Sequence, residues 1–314
     1  ITIRVSLFFR TTTTGGLPNL SFIKKKTEPL GTEFKVMIDG LSGQLLWLEI
    51  QEGKDRMKDK EFQARLGGTA VCVLRGVKAA QDLQHISSGG ANEETNDQID
   101  RPRLFLGDSW FGSVKSVSTL GLTGNHTCII VKTAHARSPK KFLEDSMKDM
   151  PGGTYITMEG TPEKEGIPLV CIGYKYNKKK VLTFILTRGA GSTREGTPYE
   201  ASFPDRYGNV CTRLIKRPEI ISTYYRFSNQ VDMHNQSRQY NLALEKKWVT
   251  QDPYFRLYTT IVGFNVVDSW RLTKSNGESK LGIKDFVDAL MQDLMDYSNK
   301  CKNEEDGSVV EVVT

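Results

Sequence analysis

The chain has 314 residues, enough for about two domains at roughly 150 residues each, or for one large core carrying an insertion. Hydrophobic residues at 38%, charged residues at 25% and aromatics at 9% exclude a wholly disordered, collagenous or low-complexity chain. Lys+Arg at 43 against Asp+Glu at 37 leaves a net +6, which is compatible with nucleic-acid or other anionic partners without requiring them.

The opening residues, ITIRVSLFF, read as the inside of a strand and begin at Ile1 rather than Met, so a fragment or a misdrawn gene start is expected. The apolar flavour breaks at Arg10 and the following threonine run, too early for a signal peptide. EFKVMI (33–38) and LLWLEI (45–50) flank DGLSG, whose Asp, Gly and Ser supply turn chemistry, and they predict a β-hairpin. A short helix is expected over Gly67–Lys78, and SSGGANEETNDQID (87–100) is too polar to pack and reads as a surface loop. RLFLGD (103–108) predicts a strand followed by a helix from Trp110 to about Leu120, with Phe111, Val114 and Val117 on one face. CIIVKT (128–133) predicts a buried strand, and Pro139 stands where a helix to Met150 would open.

From 151 to 217 the texture changes to β runs, TYITME, LVCIGYKY and VLTFILTR, divided by Gly, Pro and Lys clusters, and a separate antiparallel insertion is expected. Helical spacing of apolar residues returns over 219–242, 252–275 and 281–297, with Pro218 and Pro253 placed to open helices. The tail, NEEDGSVVEVVT, is expected to be loose. No apolar run reaches the roughly 18 residues of a membrane span. Cys72, Cys128, Cys171, Cys211 and Cys301 form no CxxC pair and have no His at ligand spacing, so they read as reduced thiols filling cores in an intracellular protein rather than as disulfides or a zinc site.

Two aspartates stand out. Asp108 ends an apolar strand, where carboxylates in α/β sheets can face a ligand site, and it equally suits the N-cap of the helix that follows. Asp232 shares a helix face with Asn235 and Gln236, a set that suits a hard cation or simply a solvated polar face, and the neighbouring His234 projects elsewhere. Basic clusters at Lys24-Lys25-Lys26, Arg137 with Lys140-Lys141, Lys178-Lys179-Lys180, and Arg213 with Lys216-Arg217 are interleaved with Tyr174, Tyr176, Tyr224 and Tyr225. Each cluster reads as a hairpin turn or solvated face, or as a phosphate-contacting patch with aromatic rings for bases.

GDSWFGS before an apolar helix, NQVDMHNQ, EKKW, a helix containing GFNVVDSW, and the earlier KKTEPLGTEFKVMIDGLSGQ together resemble, in order and spacing, the catalytic region of piggyBac-type transposases over about residues 10–275. The resemblance implies an α/β fold, a ribonuclease H-like mixed sheet flanked by helices, with a β-rich insertion domain and a C-terminal helical segment. It divides the chain into a split core (1–134 and 219–242), an insertion (135–218), a helical dimerisation or DNA-binding segment (243–300) and a loose tail (301–314). It further implies two Mg2+ ions held by three aspartates, of which Asp108 matches the second and Asp232 the third, and cut-and-paste chemistry on double-stranded DNA at TTAA targets in the nucleus, with a homodimer possible. Lys24, Lys25, Lys26, Lys140, Lys141, Arg213, Lys216 and Arg217 are the expected DNA-backbone contacts, and Trp248 and Trp270 the packing residues of the helical region. The family's first aspartate has no counterpart, because residues 1–9 hold no carboxylate and Asp39 lies in the hairpin turn, while Asn235 stands where many relatives carry Asp. Cleavage is therefore expected to be lost, the alternative being a domesticated, non-catalytic DNA-binding or interaction protein.

Overall fold

The computed structural model describes residues 2–6, 20–22, 24, 30–63, 68–87, 102–131, 137–164, 166–248 and 252–307. They fall into two compact bodies, the first holding the described residues up to Val231 except Ser42–Gln44, the second holding those three and the described residues from Asp232 onward.

In the first body, β1 (Thr2–Ser6) pairs antiparallel with β3 (Leu30–Ile38), which also pairs with β2 (Leu20–Phe22) and β4 (Leu45–Ile50). The predicted hairpin is thus β3–β4, running from Phe34 opposite Ile50 to Ile38 opposite Leu45, with an irregularity between Met37 and Ile38. After a turn of helix α1 (Lys54–Met57), α2 spans Gly68–Ser87, longer than expected because Ala79, Ala80, Gln81 and Leu83 extend the helix-favouring run. Most of the polar 87–100 segment lies outside the described residues. β5 (Leu104–Gly107) runs parallel to β6 (His126–Ile130), with α3 (Val114–Gly121) between them in the chain. β1 also lies close to β5, so the layout β4-β3-β1 beside β5-β6 is the ribonuclease H-like arrangement of a mixed sheet.

β7 (Tyr155–Gly160), β8 (Leu169–Asn177) and β9 (Lys180–Thr187) follow α4 (Lys140–Ser146), and β9 pairs antiparallel with β6, placing Cys128 opposite Leu186. The strand order β5-β6-β9-β8-β7 means that these β runs extend the core sheet instead of standing apart from it. The reason is burial on both faces. Nearly every residue of β8 and β9 is buried, the near-continuous apolar pattern of central strands. Only β10 (Tyr199–Pro204) and β11 (Val210–Ile215), which the sequence reading did not anticipate, form a sheet of their own.

Helices α2 and α3 cover the sheet around Met37, Phe105, Phe111, Val117, Leu120 and Ile129. Gly76 lets α2 approach closely: a Cβ there would meet Met37 Cε and Trp47 Cε3 at 2.9 Å. Buried Cys72 and Cys171 have thiols pushed up to about 12 by desolvation, and burial raises Cys128 as well, so all three stay protonated packing residues.

α5 (Glu219–Phe227) follows Pro218. α6 (Gln230–Gln236) then runs into a π-helix (Ser237–Leu242), and α7 (Leu244–Lys247) leads to α8 (Pro253–Ser275), whose N-cap Asp252 accepts the Tyr254 N–H ahead of Pro253's turn. In the second body Leu242, Val267 and Ile283 form a small core, with Trp270 packed on it and donating its indole N–H to the Leu281 carbonyl at 3.0 Å. Trp248 packs on Phe255 at 5.9 Å. α9 (Ile283–Gly307) continues into Asn303–Gly307, so the first part of the tail expected to be loose is helical, in keeping with its paired Glu304 and Glu305. Among the described residues no helix is long and apolar enough to cross a membrane.

Candidate metal and nucleic-acid site

The GDSWFGS segment is a tightly built turn at the carboxyl end of β5. Asp108 Oδ1 accepts the Trp110 N–H at 2.8 Å, and the Asp108 carbonyl accepts the Phe111 N–H at 3.1 Å. Asp108 therefore caps the turn and not the helix. The helix starts only at Val114, where Ser113 is the N-cap and accepts the Ser116 N–H at 3.0 Å. Phe111 plugs the core at 2% exposure. Gly112 has no alternative, since a Cβ would stand 1.9 Å from the Ile130 carbonyl oxygen on β6. Trp110 covers the ammonium of Lys35, which reaches from β3 to 3.3 Å from the ring centroid and is paired with Glu33.

Tyr224 on α5 supports this turn from below. Its hydroxyl donates to the Gly107 carbonyl at 3.2 Å, and its ring packs edge-on against Phe184 at 5.2 Å. Burial, with Cys128 and Asp108 nearby, raises the Tyr224 pKa and keeps the hydroxyl a donor. Tyr224 is one of the aromatics that could stack bases beside the basic clusters or simply line a solvated face; at 5% exposure it does neither and supports the aspartate turn, as Tyr174, at 1%, is a core residue. Only a contact between residues far apart in the chain reveals that role.

Asp39 sits at the opposite end of β5 from Asp108. Its Oδ2 accepts the Leu41 N–H at 3.0 Å, and its charge acts on Arg103, which precedes β5, whereas Asp108 follows it. The four-residue strand between them is about 13 Å long.

In the second body, Asp232 is exposed on α6, with Asn235 and Gln236 on its face as the spacing predicts. The Asn235 Oδ1 is buried without a hydrogen-bond partner. His234 points into the core. It stacks on Phe264 at 5.5 Å, and desolvation, then Arg271 and Arg238, lowers its pKa to about 3, so it is neutral at physiological pH. Arg238, fully buried, bonds Glu245 at 2.7 Å and crosses the Phe264 ring at 4.8 Å, a passage that Gly263 leaves open. Among the described residues no three His, Cys, Asp or Glu side chains gather at metal-binding range.

The basic candidates divide sharply. Lys24, Lys141 and Arg213 are exposed, and Lys216 is exposed but paired with Glu195 at 3.0 Å. Lys140 is drawn back by the Val131 carbonyl at 3.0 Å, and Lys25 and Lys26 lie outside the described residues. Arg217 is not a surface phosphate contact: it is 7% exposed, with its guanidinium 4.5 Å from the rings of both Tyr199 and Tyr225.

A family model described as Transposase IS4 matches residues 10–265. The chain belongs to that family. Among solved structures, a cryo-EM piggyBac transposase synaptic complex with hairpin DNA aligns with it at TM-score 0.62 and 16% identity. That likeness, one of fold, covers 92% of this chain and 50% of the other, so this piggyBac-type transposase region spans half the length of its structural relative. No curated protein matches. In this transposase chain, β1 lies close to β5 and reads Thr-Ile-Arg-Val-Ser.

Proposed function

We propose that this transposase-derived chain engages double-stranded DNA in the manner of a piggyBac-type core but does not cut it. The observation that carries the reading is the pairing of a well-built Asp108 turn at the end of β5 with a neighbouring β1 that has no acidic residue. Divalent ions in such sites clamp the attacking and leaving oxygens of an in-line phosphoryl displacement. Asp108 and Asp232 are the proposed Mg2+ ligands, and the third aspartate that the resemblance calls for has no counterpart on β1. Lys24, Lys141, Arg213 and Lys216 are the proposed phosphate contacts. A TTAA target and nuclear residence follow from the family resemblance, as does the division into a split core, an insertion and a helical segment, with β7–β9 counted in the core sheet and β10–β11 left to the insertion. That segment also supports a homodimer: on α9, Leu290, Leu294, Tyr297 and Cys301 recur at four- and three-residue steps, with Leu294 54% and Tyr297 67% exposed, a stripe that a second copy would cover.

The test combines a supercoiled plasmid with a labelled duplex containing TTAA. Binding is expected to weaken steeply as salt rises, because phosphate contacts release counterions, and no Mg2+-dependent nicking is expected. Nicking abolished by Asp108→Asn overturns the non-cleaving reading. Absent or salt-independent binding removes the DNA role.

A further inference from the structure

The first body carries a second feature that the proposed duplex contacts do not account for. Along one strip, cations and aromatic rings alternate. Lys180 Nζ stands 6.0 Å from the Tyr176 ring, Tyr176 stacks on Tyr225 at 6.5 Å and 28°, and Arg217 is sandwiched between Tyr225 and Tyr199 at 4.5 Å each. The β10–β11 register then continues the strip. Tyr199, Ala201 and Phe203 share a face, and Arg213, opposite Ala201, lies diagonally between the two rings. Glu200 falls on the opposite face.

Tyr176, Tyr199 and Phe203 remain 44%, 46% and 46% exposed. Arg217 is built in rather than incidental, since it is buried and its Nε has no hydrogen-bond partner. Held between two rings, it fixes their spacing, and among the described residues no carboxylate pairs with it.

We infer that this strip is a stacking platform for unpaired nucleobases, a site for single-stranded nucleic acid that shares only Arg213 with the proposed duplex contacts. In a duplex the base faces are hidden by stacking, so exposed aromatic rings gain nothing from it. An unpaired strand offers every base face to the rings while its phosphates reach Lys180 and Arg213. The chemistry is sequence-tolerant, because every base has a π-face. The inference rests on the nucleic-acid reading above but extends it to a different form of the polymer.

The full chain is titrated, at one salt concentration, into labelled oligothymidylate of about 15 nucleotides and into a duplex of the same length. Tyr176→Ala/Tyr199→Ala is expected to weaken oligothymidylate binding at least tenfold and duplex binding less than threefold, and Tyr176→Phe/Tyr199→Phe to retain both. Equal losses on the two DNAs, or no loss on either, overturn the platform. If the wild-type chain binds duplex but not oligothymidylate, only this inference falls. If it binds oligothymidylate alone, with the predicted sensitivity, the platform stands and the duplex reading falls; binding to neither sinks both.

Discussion

The two antiparallel hairpins of the first body, β3–β4 and β10–β11, differ in what they do with side chains that look out of place. On β3, every residue from Gly31 to Ile38 is buried, including charged Glu33 and Lys35, and on β4 Glu49 is buried in a fork with Arg75 at 2.7 and 2.8 Å. On β10–β11 no residue is buried, yet Val210 and Leu214 are 76% and 66% exposed, and Tyr207, in the connecting turn, is 78% exposed. The difference teaches that neither charge nor apolarity alone indicates burial. A buried charge survives because it has a geometrically matched partner, and an exposed ring cluster points to a surface with a use.

The sharpest way to break this comparison is Glu49→Ala, which strands a buried guanidinium and is expected to lower unfolding stability by about 3–5 kcal/mol in urea melts. Leu214→Ala on the other hairpin is expected to change it by less than about 0.5 kcal/mol. Comparable effects at the two positions would show that β10–β11 is as deeply integrated as β3–β4. Next comes Gly112→Ala, which forces the Asp108 turn away from the Ile130 carbonyl and is expected to cost about 1–3 kcal/mol by thermal melting. Tyr224→Phe removes one buried hydrogen bond to Gly107, and a loss of about 1 kcal/mol is expected. An unchanged melt there would mean that the Asp108 turn does not depend on α5.

Much of this was legible in the residues. Turn chemistry between EFKVMI and LLWLEI marked the β3–β4 hairpin, Pro253 marked the start of α8, and the order of GDSWFGS and NQVDMHNQ carried the family. The join of β9 to β6 was not legible, because a buried apolar strand has the same texture in an insertion as in an extended core sheet. Nor was the fate of Arg217. A basic residue beside Arg213 and Lys216 reads as surface charge until the fold brings Tyr199 and Tyr225 to either side of it. The supporting role of Tyr224 was hidden for the same reason, since its partner Gly107 lies on a different element.

The smallest expected effect lies at the tip of β10–β11 and tests whether that hairpin holds itself together. Asp205 Oδ1 accepts the N–H groups of Tyr207 at 2.7 Å and Asn209 at 2.9 Å, and Oδ2 accepts the Asn209 amide at 3.2 Å. The Tyr207 bond is the largest influence holding the Asp205 carboxyl below the usual carboxylate range, with those from Asn209 adding to it. A carboxyl whose folded pKa is depressed stabilises in full above its unfolded value, near 3.9, and that support is lost as pH falls through the folded value. Amide exchange at Tyr207 and Asn209 should therefore stay protected at pH 5 and accelerate relative to the core strands as pH drops below about 4. Asp205→Ala should show the faster, pH-insensitive pattern throughout, with the global melt unchanged. If that substitution lowers the global melt as well, the hairpin shares the cooperative unit of the sheet, and its exposed rings rest on a scaffold as rigid as β3–β4.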